Sequence, residues 1–268
     1  MKASEIIKQI ETMAPLHFAE SWDKSGMQVA AYRKDISHIA IMLDPLPQSI
    51  ATALNIGADF ILAHHPLRMQ PCFADKLDDY HEVLALLFKA DVALYSAHTS
   101  LDCNPAGPVR WLAKSLELTD LQLLETTGQS ILPGYENEGS QSFGLGFVGS
   151  LPAPLKYEDF CKQLVAQTGK SAWRSSGPRP VWVSRVACCP GSGSELAPVA
   201  KSMGADVFIT GDVKYHTALN FEINVIDIGH FLLEEIMMQK TAEILEHKLN
   251  GIKVSFIPGA DPFVFEQN

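Results

Sequence analysis

No run of about 18 apolar residues occurs anywhere in the chain, so no segment reads as a membrane span. Cysteine is sparse and badly arranged for structural chemistry: there are five, an odd number, with Cys188 and Cys189 adjacent. No CxxC pair is present, which excludes zinc-finger spacing and argues against a disulfide framework. Reduced thiols and a cytoplasmic location are the resulting expectation. Basic residues are also in deficit, 21 Lys and Arg against 31 Asp and Glu, for a formal charge of −10. That field opposes non-specific binding to nucleic acid or to an anionic membrane surface, while leaving room for a local basic pocket that takes one phosphate group. The turn Gly191-Ser192-Gly193-Ser194 lacks the following Gly-Lys-Ser/Thr of a P-loop. A tight turn is the preferred reading there, and backbone N–H groups offered to a phosphate are the alternative.

What is present is ordinary globular material, 47% hydrophobic and 19% charged. At about 100–200 residues per domain, 268 residues make one large domain or two modest ones. The opening segment MKASEIIKQIETMAP is an amphipathic helix stopped by Pro15, not a signal peptide. Strands are expected at HIAIMLD (38–44), DFILAHHP (59–66) and DVALYSAHTSLD (91–102, running into a loop), with helices to about residue 56, over 80–90 and over 107–118. Short, wholly apolar strands alternating with helices imply parallel strands buried on both faces.

Residues 119–141 are polar and aperiodic, and read as a linker or rim loop. The grammar then resumes with a strand at 143–151, a helix at 157–169, a strand at 181–193 and the helix ELAPVAKSMGA. Strands at 206–213 and 224–230, a long helix at 231–249 and a closing strand at 252–258 complete it. The expectation is an α/β fold of two similar lobes, 1–125 and 126–268, with the C-terminal helix and strand free to pack back on the first lobe. A faint repeat, Gly57-Ala58-Asp59-Phe60-Ile61-Leu62 against Gly204-Ala205-Asp206-Val207-Phe208-Ile209, points to duplication.

Five of the nine histidines fall at or just beyond the carboxyl ends of expected strands: His64, His65, His98, His216 and His230. In open parallel sheets the ligand crevice lies outside those ends. His64 and His65 are neighbours that an irregular strand end can aim at one point; the bland alternative is one solvated and one core histidine. Asp102, four residues after His98, is either an Asx turn or a carboxylate ligand. His230 and Glu234, at i and i+4 behind Gly229, share one helical face and supply one nitrogen and one oxygen donor. A plain surface ion pair is the competing reading. Together these side chains form a sulfur-free N/O set able to hold two divalent ions bridged by a carboxylate. Gly211-Asp212-Val213-Lys214-Tyr215-His216 brings an acid, a cation and an imidazole close together. It is either a loop with Asp212 as a helix cap or, beside a metal centre, a place where Lys214 or His216 binds an anionic substrate. Trp22 is a packing anchor or a stacking platform.

Five separated motifs, ESWDKSGMQV (20–29), HHPL (64–67), SAHTSLD (96–102), GDVKYH (211–216) and IDIGHFLLE (226–234), make the chain resemble the Nif-three-like family, whose members are often called GTP cyclohydrolase I type 2 homologues. The resemblance covers roughly residues 1–265, including the terminal ADPF element. It implies two α/β lobes with a dinuclear divalent-metal site between them, and a ring-shaped homohexamer with the sites facing an internal cavity. The family's ligands fall on His64, His65, Asp102, His230 and Glu234; His98 and His216 match other motif histidines. Lys24 and Ser100 stand where the family's motifs usually carry Asn, Arg68-Met69 replace apolar residues after HHPL, and Ile228 replaces a small residue. None of these departures removes a ligand; they bear on substrate preference.

The function expected is a metal-dependent hydrolase acting on a nucleotide or other phosphorylated small molecule. Two divalent ions (Zn, Mn, Fe or Co) would lower the pKa of a bridging water, which in the GTP cyclohydrolase version attacks the guanine imidazole ring and opens it. His98 or His216 would move protons. A hexameric metal-binding assembly or metallochaperone without turnover is the alternative, and a DNA-binding ring ranks last because of the −10 charge.

Overall fold

The computed structural model describes residues 1–132 and 136–264. By packing, the chain divides into a first unit, Met1–Leu101 with Glu235–Asn268, and a second unit, Asp102–Glu234. A boundary at 125/126 falls inside a long strand, so the chain changes unit earlier than the sequence indicates.

The first unit carries a sheet in the order β1-β4-β3-β2-β11. Its strands are β1 (Gly26–Val29), β2 (His38–Met42), β3 (Phe60–Ala63), β4 (Ala93–Ser96) and β11 (Lys253–Phe256). β11, β2, β3 and β4 run parallel, and β1 lies antiparallel on β4. Every residue of β2, β3 and β4 is buried, as expected for parallel strands covered on both faces. Three helices belong wholly to this unit: α1 (Ala3–Met13), α2 (Pro47–Asn55) and α3 (Asp79–Ala90). α2 starts on Pro47, whose missing N–H costs nothing at a first turn. The Asp78 carboxylate caps α3 by accepting from the His81 N–H at 3.1 Å. Ile50, Ala53, Val83 and Leu87 of these helices pack on Ala40, Met42, Ile61 and Leu94 of the sheet.

The second unit carries a six-stranded sheet in the order β5-β6-β8-β9-β10-β7. The strands are β5 (Thr119–Ile131), β6 (Ser140–Lys156), β7 (Arg174–Ser176), β8 (Trp182–Cys188), β9 (Val207–Thr210) and β10 (Asn224–Asp227). β8, β9 and β10 are parallel; β5, β6 and β8 pair antiparallel, and β7 is antiparallel to β10. α4 (Thr99–Asp102) ends the first unit and gives only Asp102 to the second, whose own helices are α5 (Trp111–Ser115), α6 (Tyr157–Thr168), α7 (Ala197–Ser202) and α8 (Tyr215–Ala218). α9 (His230–Lys248) gives its first turn to this unit and the rest to the first.

Two expectations need correction. The polar stretch 119–141 is not a linker: its first part is β5, and residues 133–135 lie outside the described residues, as do 265–268 at the end of the expected second lobe. β5 is almost wholly exposed on a sheet edge, so its backbone pairing to β6 is not accompanied by an apolar signature. The helix expected at 107–118 is a 3-10 turn (Pro108–Arg110) followed by the short α5.

The faint repeat has a shared structural job. The Asp59 carboxylate accepts from the backbone N–H groups of Ser37 and His38 at the start of the neighbouring parallel strand. Asp206 accepts in the same way from Ser184 and Arg185 at the start of β8. In each case the aspartate's own N–H donates back to that strand, to His38 O and to Arg185 O, both at 2.9 Å. These aspartates set the register with which β3 and β9 enter their sheets, and so where the site-bearing ends of both strands emerge.

Candidate functional site

In the first unit β3 ends directly in His64 and His65. Their backbone N–H groups donate to the Leu43 carbonyl at 3.2 and 3.1 Å, holding the turn against the end of β2. His64 is fully buried, with Nδ1 2.8 Å from the Ala97 carbonyl oxygen. His65 is half-buried, with Nδ1 2.7 Å from Asp44 Oδ1. His98, two residues past β4, has Nδ1 2.7 Å from Asp23 Oδ1. The three rings lie 5.0–5.6 Å apart by centroid, and one ligand atom from each falls within 4.8 Å of the others.

Each of these Nδ1 atoms faces an oxygen acceptor, so Nδ1 carries the hydrogen and the neutral ring has its lone pair on Nε2. That is the arrangement in which imidazoles ligate metal ions, with an oxygen behind each ring fixing tautomer and orientation. The donor set therefore fits a divalent cation of the kind that accepts nitrogen and oxygen.

The Asp23 carboxylate behind His98 also accepts from Ser25 and Thr99. Burial of Asp23 would raise its pKa, but hydrogen bonds from His98, Thr99 and Ser25 outweigh that and hold it well below the usual carboxylate range. A depressed folded-state pKa adds stability that is complete above the ordinary carboxylate range and is lost as the pH falls through it. Asp23→Asn is expected to cost about 1–3 kcal/mol at neutral pH. Its unfolding free energy should also change less than that of the parent between about pH 5 and about pH 2. Urea titrations across that range check both; parallel pH curves for the two proteins count against the assignment. Trp22, half exposed, meets the His98 ring edge-on at 5.9 Å.

In the second unit the corresponding strand ends carry Asp212 and His230. His230 opens α9 with Nδ1 2.7 Å from Asp212 Oδ2 and Nε2 3.0 Å from Glu234 Oε2, one turn along the helix. The Glu234 hydrogen bond, set against the cost of burial and helped by Asp212, raises the His230 pKa to about 9. A ring flanked by two carboxylates is a place where positive charge is favoured. Asp212 has φ +52° and directs its carboxylate at His230; it caps no helix, since the N-cap of α8 is Lys214. Asp102 closes α4, and its carboxylate and that of Glu234 both act on the buried Cys189 thiol. That thiol is pushed up first by burial, then by Cys188 and by these two acids.

The Gly-Ser turn is built against the carboxylate. Gly191 has φ +66°, and a Cβ there would lie 2.4 Å from Glu234 Oε1. A turn backed by a carboxylate repels phosphate, so the tight-turn reading is the one that the structure carries. His216 is exposed on α8, with its ring edge-on to Tyr215 at 5.3 Å. Two of the carboxylates behind the rings, Asp23 and Asp44, have no role assigned from sequence, and the third, Asp212, reads there as a helix cap. Asp44 and Asp212 each sit two residues past a strand end, so the rule that selected the histidines selects them as well.

The profile of the family described as Duf34/NIF3 (NGG1p interacting factor 3) matches residues 1–262. The chain belongs to the Duf34/NIF3 family. Among Duf34/NIF3 relatives, a protein of Clostridium perfringens named GTP cyclohydrolase 1 type 2 homolog is 31% identical over 275 residues, covering 99% of this chain and 100% of the relative. One of the same name from Streptococcus pneumoniae is 30% identical over 259 residues, covering 91% and 90%. Among solved structures, hypothetical protein SA1388 of Staphylococcus aureus superposes with a TM-score of 0.86 at 26% identity, covering 99% of both chains. Reduced HcgD from Methanocaldococcus jannaschii does so with a TM-score of 0.79 at 27% identity, covering 96% and 98%. The Duf34/NIF3 fold is thus established for the two-sheet α/β architecture seen here. No helix among its described residues is long and apolar enough to cross a membrane.

Proposed function

We propose that this chain is a divalent-metal-dependent hydrolase of nucleotides or related phosphorylated small molecules. His64, His65, Asp102, His230 and Glu234 would hold two ions, and the chain would work in the cytoplasm as a homohexameric ring. The observation that supports the reading is the set of oxygen acceptors behind Nδ1 of His64, His65 and His98. Three clustered rings, each with an oxygen fixing its Nδ1, are more than a fold needs, and a fixed ring with its lone pair on Nε2 is what a metal or a mobile proton requires.

When bound, the ions would supply Lewis acidity toward a water and toward an oxygen on the phosphorus or carbon centre under attack. His98 does the proton work: Asp23 keeps hydrogen on Nδ1 and stabilises the imidazolium that forms when Nε2 accepts a proton. Glu234 and Asp102 contribute negative charge that draws cations to the site. His216, exposed on α8, serves substrate or solvent as a second proton carrier. The names of the relatives favour a purine nucleotide, and GTP is the first substrate to try.

The test is hydrolysis across a nucleotide and phosphoester panel, GTP included, with protein as purified, after chelation and after readdition of Mn, Fe, Co or Zn. Turnover lost on chelation and regained with one of these ions supports the reading. Bound metal with no turnover across the panel overturns it in favour of metal storage or delivery.

A further inference from the structure

A cavity of about 450 Å³ lies in the first unit beside the imidazoles and takes no part in holding metal. Its walls are the loop Asp23-Lys24-Ser25 and the loop after the paired histidines, Leu67 and Arg68, with Tyr80 of α3 closing one side. Lys24 and Arg68 are the two cations among its lining residues. They are far apart in sequence, yet the fold delivers both cations to one cavity of a protein whose net charge is −10.

The two walls are fastened together. Gln28 on β1 donates through Nε2 to the Lys24 and Gly26 carbonyl oxygens at 2.7 and 3.1 Å, and its Oε1 accepts from the Leu67 N–H at 3.2 Å. One side chain thus sets the spacing of the segments that carry Lys24 and Arg68. The Arg68 guanidinium is placed by Asp78, at 2.8 Å, and by the Tyr80 ring, 5.0 Å from its centroid. Asp78 engages one of its nitrogens, and a guanidinium has five N–H donors in a planar fork. Lys24 makes no ion pair among the described residues. The nearby Asp23 carboxylate is buried and bonded to His98, Thr99 and Ser25.

The cavity of about 220 Å³ in the second unit is a useful contrast: its cation, Arg174, is paired with the buried Asp227. Of these two cavities the first joins a placed guanidinium fork to an ammonium without an ion pair among the described residues, the combination that suits a tetrahedral oxyanion.

We infer that this cavity binds the phosphate of the substrate, with Lys24 and Arg68 as its specificity-determining residues. The inference rests on the hydrolase reading for its direction. Asp23 lines the cavity and holds His98, and Leu67 follows His65 by two residues, so a phosphate seated on Lys24 and Arg68 leaves the rest of its molecule beside the imidazoles.

The probe is inorganic pyrophosphate, titrated calorimetrically into the full chain as purified and again in the presence of chelator, with citrate as a polycarboxylate comparison. Parent, Lys24→Met, Arg68→Gln and His64→Ala proteins are compared, with circular dichroism to verify that each is folded. Binding that survives chelation, weakens about tenfold in each cation variant and stays within about twofold in His64→Ala is the expected result. No binding, equal binding in parent and cation variants, or citrate bound as tightly as pyrophosphate overturns it. Loss confined to His64→Ala places pyrophosphate on the metal centre and refutes the cavity while sparing the hydrolase reading. Loss confined to the cation variants, in a chain that holds no metal, retains the cavity and refutes the hydrolase reading.

Discussion

Glu234→Gln and His64→Ala proteins are expected to bind clearly less metal than the parent, which should hold about two ions per chain, and to lose turnover by at least about 100-fold. Glu234→Gln is the cleaner variant. It keeps the side-chain volume against Gly191 and the contact with His230 but removes a buried negative charge, so the fold is preserved while the attraction for a cation falls. His64→Ala also leaves a void in a fully buried position and strips the Ala97 carbonyl of its partner, which is expected to cost about 1–3 kcal/mol in stability. His64→Gln is therefore run beside it, since a glutamine amide can still donate to that carbonyl. Metal analysis by mass spectrometry, paired with thermal unfolding, separates the two effects. Equal metal in parent and variants would sink the five-ligand assignment.

Gly211→Ala is the second large effect, and it reaches the site without altering a ligand. A Cβ on Gly211 would lie 2.5 Å from the His230 backbone nitrogen and 2.7 Å from the Gly229 carbonyl carbon. Both are backbone atoms, so neither side of the contact can swing away. The added methyl is expected to push the start of α9 outward, at a cost of about 1–3 kcal/mol in stability. Because His230 opens that helix, metal affinity should fall about 10–100-fold, the loss usual when the support of a ligand is disturbed. Isothermal titration with the metal identified for the parent checks the affinity, and urea denaturation the stability. A variant with unchanged affinity would show that the approach of Gly211 to His230 does not position the ring.

Much of the fold was legible because its parallel strands are apolar on both faces: HIAIMLD, DFILA and DVALYS stand out as uninterrupted runs and become β2, β3 and β4. β5 was not legible for the opposite reason. It is an exposed edge strand of polar residues, held by backbone pairing, and nothing in side-chain hydropathy distinguishes it from a loop. β1 and β7, of four and three residues, are too short to show a period. The strand-end rule picked out His64, His65, His98, His216 and His230, of which the structure groups His64, His65 and His98 in the first unit. Applied to histidines alone, it leaves Asp44 beside His65 unmarked, and Asp212 beside His230 reads as a cap. Asp23 lies farthest from such rules: it comes from the loop before β1 and reaches His98 only through tertiary folding.

The place of β11 bears on how the polypeptide is made. This strand lies on the edge of the first sheet, parallel to β2, and its Ser255 Oγ meets His38 Nε2 at 2.9 Å across 217 positions of sequence. The Asp102–Glu234 segment is continuous and is synthesised before that strand exists. During translation the inner segment can complete its own sheet while β2, already outside the ribosome, waits with one edge unpaired. Closing so long a loop is slow, and an open apolar edge is a site for pairing with another chain. Nascent protein stalled short of residue 253 would therefore be the species that most needs a chaperone.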